Sequence, residues 1–379
     1  MKRILFTFAL AALCLVSCKQ QPEPVDPHTK SGLDPADFVA EVNGTETGLY
    51  TLTNANGMEV CITNFGGRIV SVMVPDRDSV WRDVVLGFDN IQDYINVPSD
   101  FGATIGRYAN RIANGRFKLD RKVYELPTNN NGHTLHGGPE GWQYKPFTVM
   151  SHSDNALQLQ YVSKDGEMGF PGEVTAFVFF TLTDHNSLVI DYMARTTAPT
   201  VINMTNHSYF NLSGDPTQPI TDHLLFLNAD KTTPVDEWLI PTGKIVKVAG
   251  TPFDFTSPKP IGQDIDADNA QIRYGRGFDH NWILNTEGSL KKVAATLVCP
   301  KTGIELRVFT SEPGIQVYTG NFLDGTVVGK DSTVYNHRTA VCLETQHYPD
   351  SPNKPQFPST ELRPGQRFES STVYKFNVL

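Results

Sequence analysis

The fold of this chain is decided by a stretch that begins Leu157-Gln158-Leu159-Gln160-Tyr161 and continues through Val174 to Leu182 and Leu188 to Met193. The first segment alternates apolar and polar residues, and the other two are rich in β-branched and aromatic residues. Successive side chains of a strand point to opposite faces, so these patterns predict three β-strands. Ile315-Gln316-Val317-Tyr318 predicts another by the same alternation.

Similar short segments recur from about residue 45 to the end, separated by turn residues that include many of the 30 glycines and 25 prolines. No window of fifteen residues carries a helical apolar stripe, although Asn90 to Ile95 suits one short helical turn. Because open twisted sheets rarely grow very large, this many strands predict a barrel or stacked sheets. We expect a mainly β protein with one domain, residues 41–379, folded as a large antiparallel β-sandwich.

The N-terminus has the order of an export signal, with Lys2 and Arg3 before an apolar run from Ile4 to Val16. Residues 1–17 are therefore predicted to be a signal peptide. The sequence Leu15-Val16-Ser17-Cys18 resembles a bacterial lipobox, which makes Cys18 the predicted lipidation site. The alternative is an ordinary secretory signal with an unrelated cysteine. Proline-rich residues 18–40 predict a flexible tether, and the protein is expected to be an exported, membrane-anchored lipoprotein on the periplasmic or cell-surface side.

Composition narrows the possible partners. The formal net charge is −9 and the pI about 5.6, which argues against nucleic acid because phosphate binding requires clustered basic residues. Contact with a membrane is expected only through the lipid anchor, and a monomer is favoured. The widely spaced Cys61, Cys299 and Cys342 suit neither a zinc site nor a disulfide scaffold, so we expect buried thiols, with one disulfide left open.

Two segments carry candidate acid/base groups. Glu344 follows the apolar run Thr339 to Leu343, where a strand is expected to end and a proline-containing loop to begin. Partial burial there raises the proton affinity of a carboxylate toward that of a general base. His207 lies in the polar and aromatic segment Asn206 to Leu212, and a histidine beside a carboxylate forms a complementary acid/base pair. The alternatives are an ordinary rim glutamate paired with arginine and a structural histidine.

A third segment contains His133 and His136 among Gly132, Gly137 and Gly138. The i, i+3 spacing of the two histidines would suit a metal site on a helix, but the glycines disfavour a helix, so no metal site is predicted. The glycines favour a loop whose backbone approaches a ligand. Asn110, Arg111 and Asp279 are of the types that bind sugar hydroxyls, and four aromatic residues are expected to pack on a sugar face: Trp142, Tyr209, Phe278 and Trp282.

Seven motifs together resemble the aldose 1-epimerase family, in the family's order over roughly residues 45 to 379. They are Asn110-Arg111, Leu135 to Gly138, Gly166 to Gly172, Asn206 to Asn211, Gly277 to His280, Gly314 to Thr319 and Leu343 to Gln346. The resemblance implies a galactose mutarotase-like β-sandwich with an open groove, no metal and no organic cofactor.

The resemblance also implies roles for individual residues. Glu344 is the expected general base at the anomeric hydroxyl, and His207 is the expected general acid at the ring oxygen. His136 is expected to contact the sugar near that oxygen, while Asn110, Arg111, Asp279 and Gln316 orient its hydroxyls. The expected substrate is a free monosaccharide of the glucose or galactose type.

Two alternatives remain from the sequence. A surface lipoprotein that binds carbohydrate without turnover is the main rival, but binding alone does not require a base and an acid. A glycoside-cleaving enzyme would need two carboxylates flanking the bond, with Asp279 as the second.

Overall fold

The protein is built mainly of antiparallel β-strands. A computed structural model describes residues 28–379. The largest sheet has nine strands, which in spatial order are Thr148–Ser153, Ala156–Ser163, Val174–Thr183, Ser187–Thr196, Phe368–Val378, Ile304–Thr310, Ala295–Val298, Leu224–Leu227 and Lys259–Pro260. Every neighbouring pair in this sheet is antiparallel. The expectation of a mainly β, antiparallel fold is therefore confirmed.

Two further sheets complete the larger layers. A six-stranded sheet runs in the spatial order Tyr209–Phe210, Val341–Gln346, Gly314–Tyr318, Asp279–Ile283, Lys231–Thr232 and Val246–Lys247. A four-stranded sheet contains Leu49–Thr53, Glu59–Thr63, Arg68–Pro75 and Trp81–Asp83. Among residues 28–379, five two-stranded pairs are Glu41–Val42 with Thr45–Glu46, Ala103–Ile105 with Thr205–His207, Arg111–Ile112 with Thr134–Leu135, Arg116–Leu119 with Lys122–Glu125, and Thr200–Val201 with Glu361–Leu362.

Helical structure is scarce in the described residues. The two α-helices are Ile91–Asn96 and Ala270–Gly275. The first is the expected turn, capped by the Asn90 side chain, which accepts a hydrogen bond from the Asp93 amide. The second was not predicted, because six residues are too few to show a helical repeat. Eight short 3₁₀ segments are Pro35–Phe38, Ala113–Gly115, Trp142–Tyr144, Glu167–Gly169, Ile220–Asp222, Ile261–Gln263, Lys330–Ser332 and Ser351–Asn353.

The core lies between the nine-stranded and six-stranded sheets. Along Val174–Thr183 every second residue is fully buried, as the alternation of a strand with one inward face requires. Phe180 of this strand belongs to the same apolar cluster as Val317 and Leu343 of the six-stranded sheet. Since neighbouring side chains on a strand point to opposite faces, Glu344 faces away from this core.

Of the predicted tether, residues 18–27 lie outside the described residues, and only residues 28–40 need a correction. Residues 28–40 pack against the domain, where Phe38 is fully buried in a cluster with Phe88 and Tyr94, and the Phe38 carbonyl accepts a hydrogen bond from Thr47 Oγ1. Burial of a large aromatic ring favours ordered packing over a free chain. The predicted signal peptide and Cys18 lie outside the described residues.

The cysteines of the domain are buried in its interior. Cys61, Cys299 and Cys342 are free and buried, which confirms the expected buried thiols. Burial raises the pKa of Cys61 to about 11, so that thiol stays protonated. Between residues 28 and 379, none of the helices has the length and apolar character needed to traverse a bilayer.

Candidate active site

Six of the candidate catalytic and sugar-binding residues, all except Gln316, line one cavity of about 430 Å³. It is lined by Asn110, Arg111, His136, His207, Asp279 and Glu344, together with Asp100, Asn130, Asn131, Leu135, Tyr209, Leu239, Arg276, Tyr318 and Phe322. A separate cavity of about 490 Å³ lies near the start of the described chain, beside Lys30 and Trp81, and holds none of the candidate residues. Of these two, only the smaller cavity brings a buried carboxylate together with buried imidazoles.

Three neighbouring strands of the six-stranded sheet, Asp279–Ile283, Gly314–Tyr318 and Val341–Gln346, position Asp279, Gln316 and Glu344. In the register of the six-stranded sheet, Gln316 lies opposite both Asn281 and Glu344, and Asp279 lies opposite Tyr318. Gln316 Nε2 donates a hydrogen bond of 2.7 Å to Asp279 Oδ1. Gln316 therefore lies on the strand between those of Asp279 and Glu344, and its hydrogen bond orients the Asp279 carboxylate.

Glu344 and His207 form a close buried pair. Glu344 Oε1 lies 3.5 Å from His207 Nε2, and their side chains are only 2% and 5% exposed. His207 ends the strand Thr205–His207, which pairs with Ala103–Ile105. Glu344 lies inside a strand that continues to Gln346, so it is more deeply buried than the strand-end position expected from the sequence. Because its nearest ionisable partner is an imidazole, the rim glutamate paired with arginine is not what the structure contains.

Burial shifts the proton affinities of this pair in opposite directions. Desolvation raises the pKa of Glu344 well above its ordinary value, and the negative charges of Asp279 and Asp100 raise it further. Desolvation lowers the pKa of His207, a shift that the charge of Asp100 partly opposes. Each group is therefore driven toward its neutral form, as expected for charges removed from water.

His136 contributes a fixed hydrogen-bond donor. Its Nδ1 accepts a hydrogen bond of 3.2 Å from the backbone N–H of Asn110, and burial lowers its pKa to about 3. A neutral imidazole that accepts at Nδ1 carries its proton on Nε2. Its ring is nearly perpendicular to that of His207, with the centroids 5.1 Å apart. His136 thus presents an N–H group beside the acid/base pair.

Asn110 and Arg111 are held by the short pairing of Arg111–Ile112 with Thr134–Leu135. The side-chain oxygen of Asn110 accepts a hydrogen bond from the Arg111 backbone N–H. Arg111 Nε donates to Asn130 Oδ1 at 3.2 Å, and Arg111 Nη2 lies 3.8 Å from Asp279 Oδ2. Arg111 and Asp279 therefore present opposite charges side by side, an arrangement suited to vicinal hydroxyls.

The aromatic expectations hold only in part. Tyr209 lines the cavity and stacks on His207, with ring centroids 5.0 Å apart. Trp142, Trp282 and Phe278 are instead buried in the core, so they are unavailable to a sugar. Their place is taken by Tyr318 and Phe322, which sequence reasoning did not identify as aromatic contacts. Phe322 stacks on Tyr318 and is 47% exposed at the cavity mouth.

Asp100 is another residue that lines the cavity and that sequence reasoning did not identify. Single ligand atoms of Asp100, His136 and His207 lie within 4.8 Å of one another, a spacing that would also suit a metal ion. The donor set does not fit one, because the Nδ1 lone pair of His136 is engaged by Asn110 and its Nε2 carries a proton. His133 is also structural, since its Nδ1 accepts a hydrogen bond from the Asn114 backbone N–H at 2.9 Å.

Comparison with known sequences gives a consistent family match. The family model described as aldose 1-epimerase matches residues 48–375. The galactose mutarotase of Rattus norvegicus is 44% identical over 321 residues, which cover 85% of this chain and 92% of the relative. The aldose 1-epimerase of Escherichia coli K12 is 39% identical over 330 residues, which cover 86% of this chain and 94% of the relative.

Solved structures show the same architecture. A GalM/aldose epimerase homologue from C. elegans superposes with a TM-score of 0.82 at 32% identity, covering 88% of this chain and 99% of that one. A galactose 1-epimerase from Lactobacillus acidophilus gives a TM-score of 0.79 at 28% identity, covering 89% and 97%. The match therefore extends over nearly the whole of each related chain.

Proposed function

The chain belongs to the aldose 1-epimerase family, and from this premise we propose that it interconverts the α and β anomers of free hexoses. The observation that carries the proposal is the pair formed by Glu344 and His207, buried together at the wall of a polar cavity. A base and an acid that face one small region are what opening a hemiacetal ring requires.

The reactive form of the pair has Glu344 ionised and the shared proton on His207, a form that burial disfavours relative to the neutral pair. Glu344 takes the proton of the anomeric hydroxyl as His207 gives a proton to the ring oxygen. The electrons of the C1–O5 bond move to O5, and C1 becomes an aldehyde carbon. Rotation about C1–C2 presents the other carbonyl face, and the reverse proton transfers close the ring as the opposite anomer.

Burial of the pair assists the opening step. Ring opening converts an ionised glutamate and a protonated histidine into two neutral groups. The same desolvation raises the pKa of Glu344 and lowers that of His207, so it favours the neutral state. The cavity thus stabilises the complex that contains the open-chain sugar.

Neighbouring groups hold the sugar in place during these transfers. In this proposal Arg111, Asp279 and Asn110 bind hydroxyls, Gln316 positions Asp279, and His136 donates from Nε2 near the ring oxygen. The hydrogen bonds among these residues support the assignment because they fix the side chains before substrate arrives.

Charge favours neutral sugars of the glucose or galactose type over sugar phosphates. The cavity contains the carboxylates of Asp100, Asp279 and Glu344 but only two arginines, Arg111 and Arg276. Arg107, four residues before Arg111, is buried away from the cavity lining, where it donates to the carbonyls of Pro171 and Gly172. This balance offers little attraction for a phosphate group.

Polarimetry tests this function directly. Freshly dissolved α-glucose and α-galactose should relax to equilibrium rotation faster with the protein than in buffer alone. The rival function, a non-catalytic carbohydrate-binding protein, predicts sugar binding by calorimetry with no acceleration of the optical change. The presence of both Glu344 and His207 favours the enzyme, because binding alone needs no such pair.

We also propose that the protein is exported and lipid-anchored through Cys18, on the strength of residues 1–18. Outside the cytoplasm it would meet sugars released from glycans and would supply one anomer to the protein that consumes it. Incorporation of labelled palmitate into the wild type but not into Cys18→Ala tests the anchor. Equal labelling of both would show that the lipid is not on Cys18.

A further inference from the structure

Asp100 is held in a fixed position beside the acid/base pair. The buried Arg68 binds the backbone on both sides of Asp100. Its Nη2 donates to the Ser99 carbonyl and its Nη1 to the Phe101 carbonyl, each at 2.9 Å. The N–H of Gly102 donates to the carbonyl of His207 at 3.0 Å. The main chain next to Asp100 is therefore hydrogen-bonded to the main chain of His207.

The side chain of Asp100 has an unused acceptor in the cavity. Its Oδ1 is buried without a hydrogen-bond partner, although the residue as a whole is only partly buried. Atoms of Asp100, His136 and His207 lie within 4.8 Å of one another. A point between three such atoms is about 2.8 Å or less from each, which is the length of a hydrogen bond to oxygen. One oxygen atom at that point would therefore lie within hydrogen-bond distance of all three groups.

We propose that Asp100 completes, with His136 and His207, a site for the sugar's ring oxygen, and that it accepts a hydrogen bond from that oxygen once the ring has opened. The inference rests on the proposed function, in which His207 protonates this oxygen. In the closed sugar O5 is an ether without a hydrogen atom, so Asp100 gains no hydrogen bond from it. After the C1–O5 bond breaks and O5 takes the proton from His207, the new hydroxyl donates to Asp100.

Because the proton reaches O5 only after ring opening, the hydrogen bond to Asp100 is specific to the open-chain sugar. His136 donates to O5 from Nε2 in both states, whereas the hydrogen bond to Asp100 exists only after proton transfer. The carboxylate gains and loses no proton, so the proton balance of the reaction is unchanged. An interaction formed only beyond the closed ground state raises kcat without tightening substrate binding.

The charge of Asp100 acts in the same direction on both members of the pair. It raises the pKa of His207 and that of Glu344. Other ionisable groups around it come from the helical turn, strands and loops that enclose the cavity: Arg68, Arg111, His136, Tyr144, Tyr209, Asp279, Tyr318 and Cys342. Removing the carboxylate charge therefore moves both limbs of the pH profile to lower pH, whichever member holds the shared proton.

The test compares the wild type with Asp100→Asn and Asp100→Ser by polarimetry over a pH series. Asp154→Asn is the control, since it removes the same charge from an exposed turn between Thr148–Ser153 and Ala156–Ser163. We expect both Asp100 variants to lose on the order of 10- to 100-fold in kcat, as for a lost charge-assisted hydrogen bond. Their KM should stay within roughly twofold of wild type, and both pH limbs should move to lower pH.

Thermal melting separates these effects from misfolding, and Asp154→Asn should match the wild type throughout. The inference is overturned if folded Asp100 variants keep wild-type kcat, if only KM changes, or if the pH limbs do not move. A wild-type protein that fails to accelerate mutarotation contradicts the proposed function itself. A catalytically active wild type with active Asp100 variants contradicts only this inference.

Discussion

Oε1 of Glu344 lies 3.5 Å from Nε2 of His207, although the two residues come from distant parts of the sequence. The strand Val341–Gln346 supplies one and the strand Thr205–His207 the other. Tyr209, two residues after His207, pairs with Cys342, two residues before Glu344. The sheet register therefore positions the base and the acid against each other.

The first prediction concerns pH. Because Glu344 and His207 share one proton in the active form, kcat/KM should be bell-shaped. At low pH the pair takes a second proton, at an apparent pKa that burial lowers below that of an ordinary histidine. At high pH the pair loses its last proton, at an apparent pKa that burial raises above that of an ordinary glutamate. Polarimetric rates across pH, corrected for the buffer reaction, measure both limbs. A profile with no limb at all would show that the pair does not titrate during catalysis.

The second prediction separates binding from chemistry at Gln316. Gln316→Ala removes the 2.7 Å hydrogen bond to Asp279, so Asp279 should orient sugar hydroxyls less well. We expect KM to rise on the order of tenfold, the cost of one hydrogen bond to a charged group, with a smaller effect on kcat. Gln158→Ala, on the second strand of the nine-stranded sheet, is the control, since Gln158 does not line the cavity. Equal kinetics in the two variants would remove Gln316 from the site.

The third prediction uses two glycines of the loop that carries His136. Gly132 and Gly137 have φ near +80°, but a Cβ on Gly132 meets open space, whereas one on Gly137 lies 2.5 Å from the Gly106 carbonyl. Gly132→Ala should cost about 1 kcal/mol in free energy of unfolding for the backbone conformation alone. Gly137→Ala should cost more and also lower kcat, because the loop must shift at His136. Denaturant unfolding and polarimetry measure the two effects, and identical results for both variants would contradict the packing argument.

The fourth prediction concerns charged substrates. Glucose 6-phosphate should be a poorer substrate than glucose, with kcat/KM lower by at least about tenfold, since three carboxylates line the cavity. Glucose methylated at O6 separates size from charge, because it is bulky but neutral. Preferred turnover of the phosphorylated sugar would contradict the charge argument.

Much of the fold follows from local sequence patterns. The alternation in 157–161 and the β-branched run from Val174 marked strands that the structure contains. The six-residue helix Ala270–Gly275 escaped notice because it is shorter than two helical repeats. Phe38 lay in a proline-containing segment that resembled a tether, and its burial depends on partners such as Tyr94, which the local sequence does not specify.

The site was predictable where residues form a recognisable group of motifs. Glu344, His207, His136, Asn110, Arg111 and Asp279 lie together in the cavity, with Gln316 behind them. Trp282 and Phe278 were misplaced because the strand Asp279–Ile283 is covered on both faces, so alternation does not tell which aromatic side chain faces a ligand. Asp100 resembles any turn aspartate in the sequence, and only its approach to two imidazoles distinguishes it.

The central claim is that Glu344 accepts the anomeric proton, and Glu344→Gln tests it most directly because the amide keeps the shape of the side chain but cannot act as a base. We predict that this variant still binds galactose by calorimetry and loses on the order of 10²- to 10⁴-fold in kcat for mutarotation of α-galactose. The control variant Glu369→Gln, at an exposed position of the strand Phe368–Val378, should remain fully active. Wild-type mutarotation by folded Glu344→Gln would contradict the account.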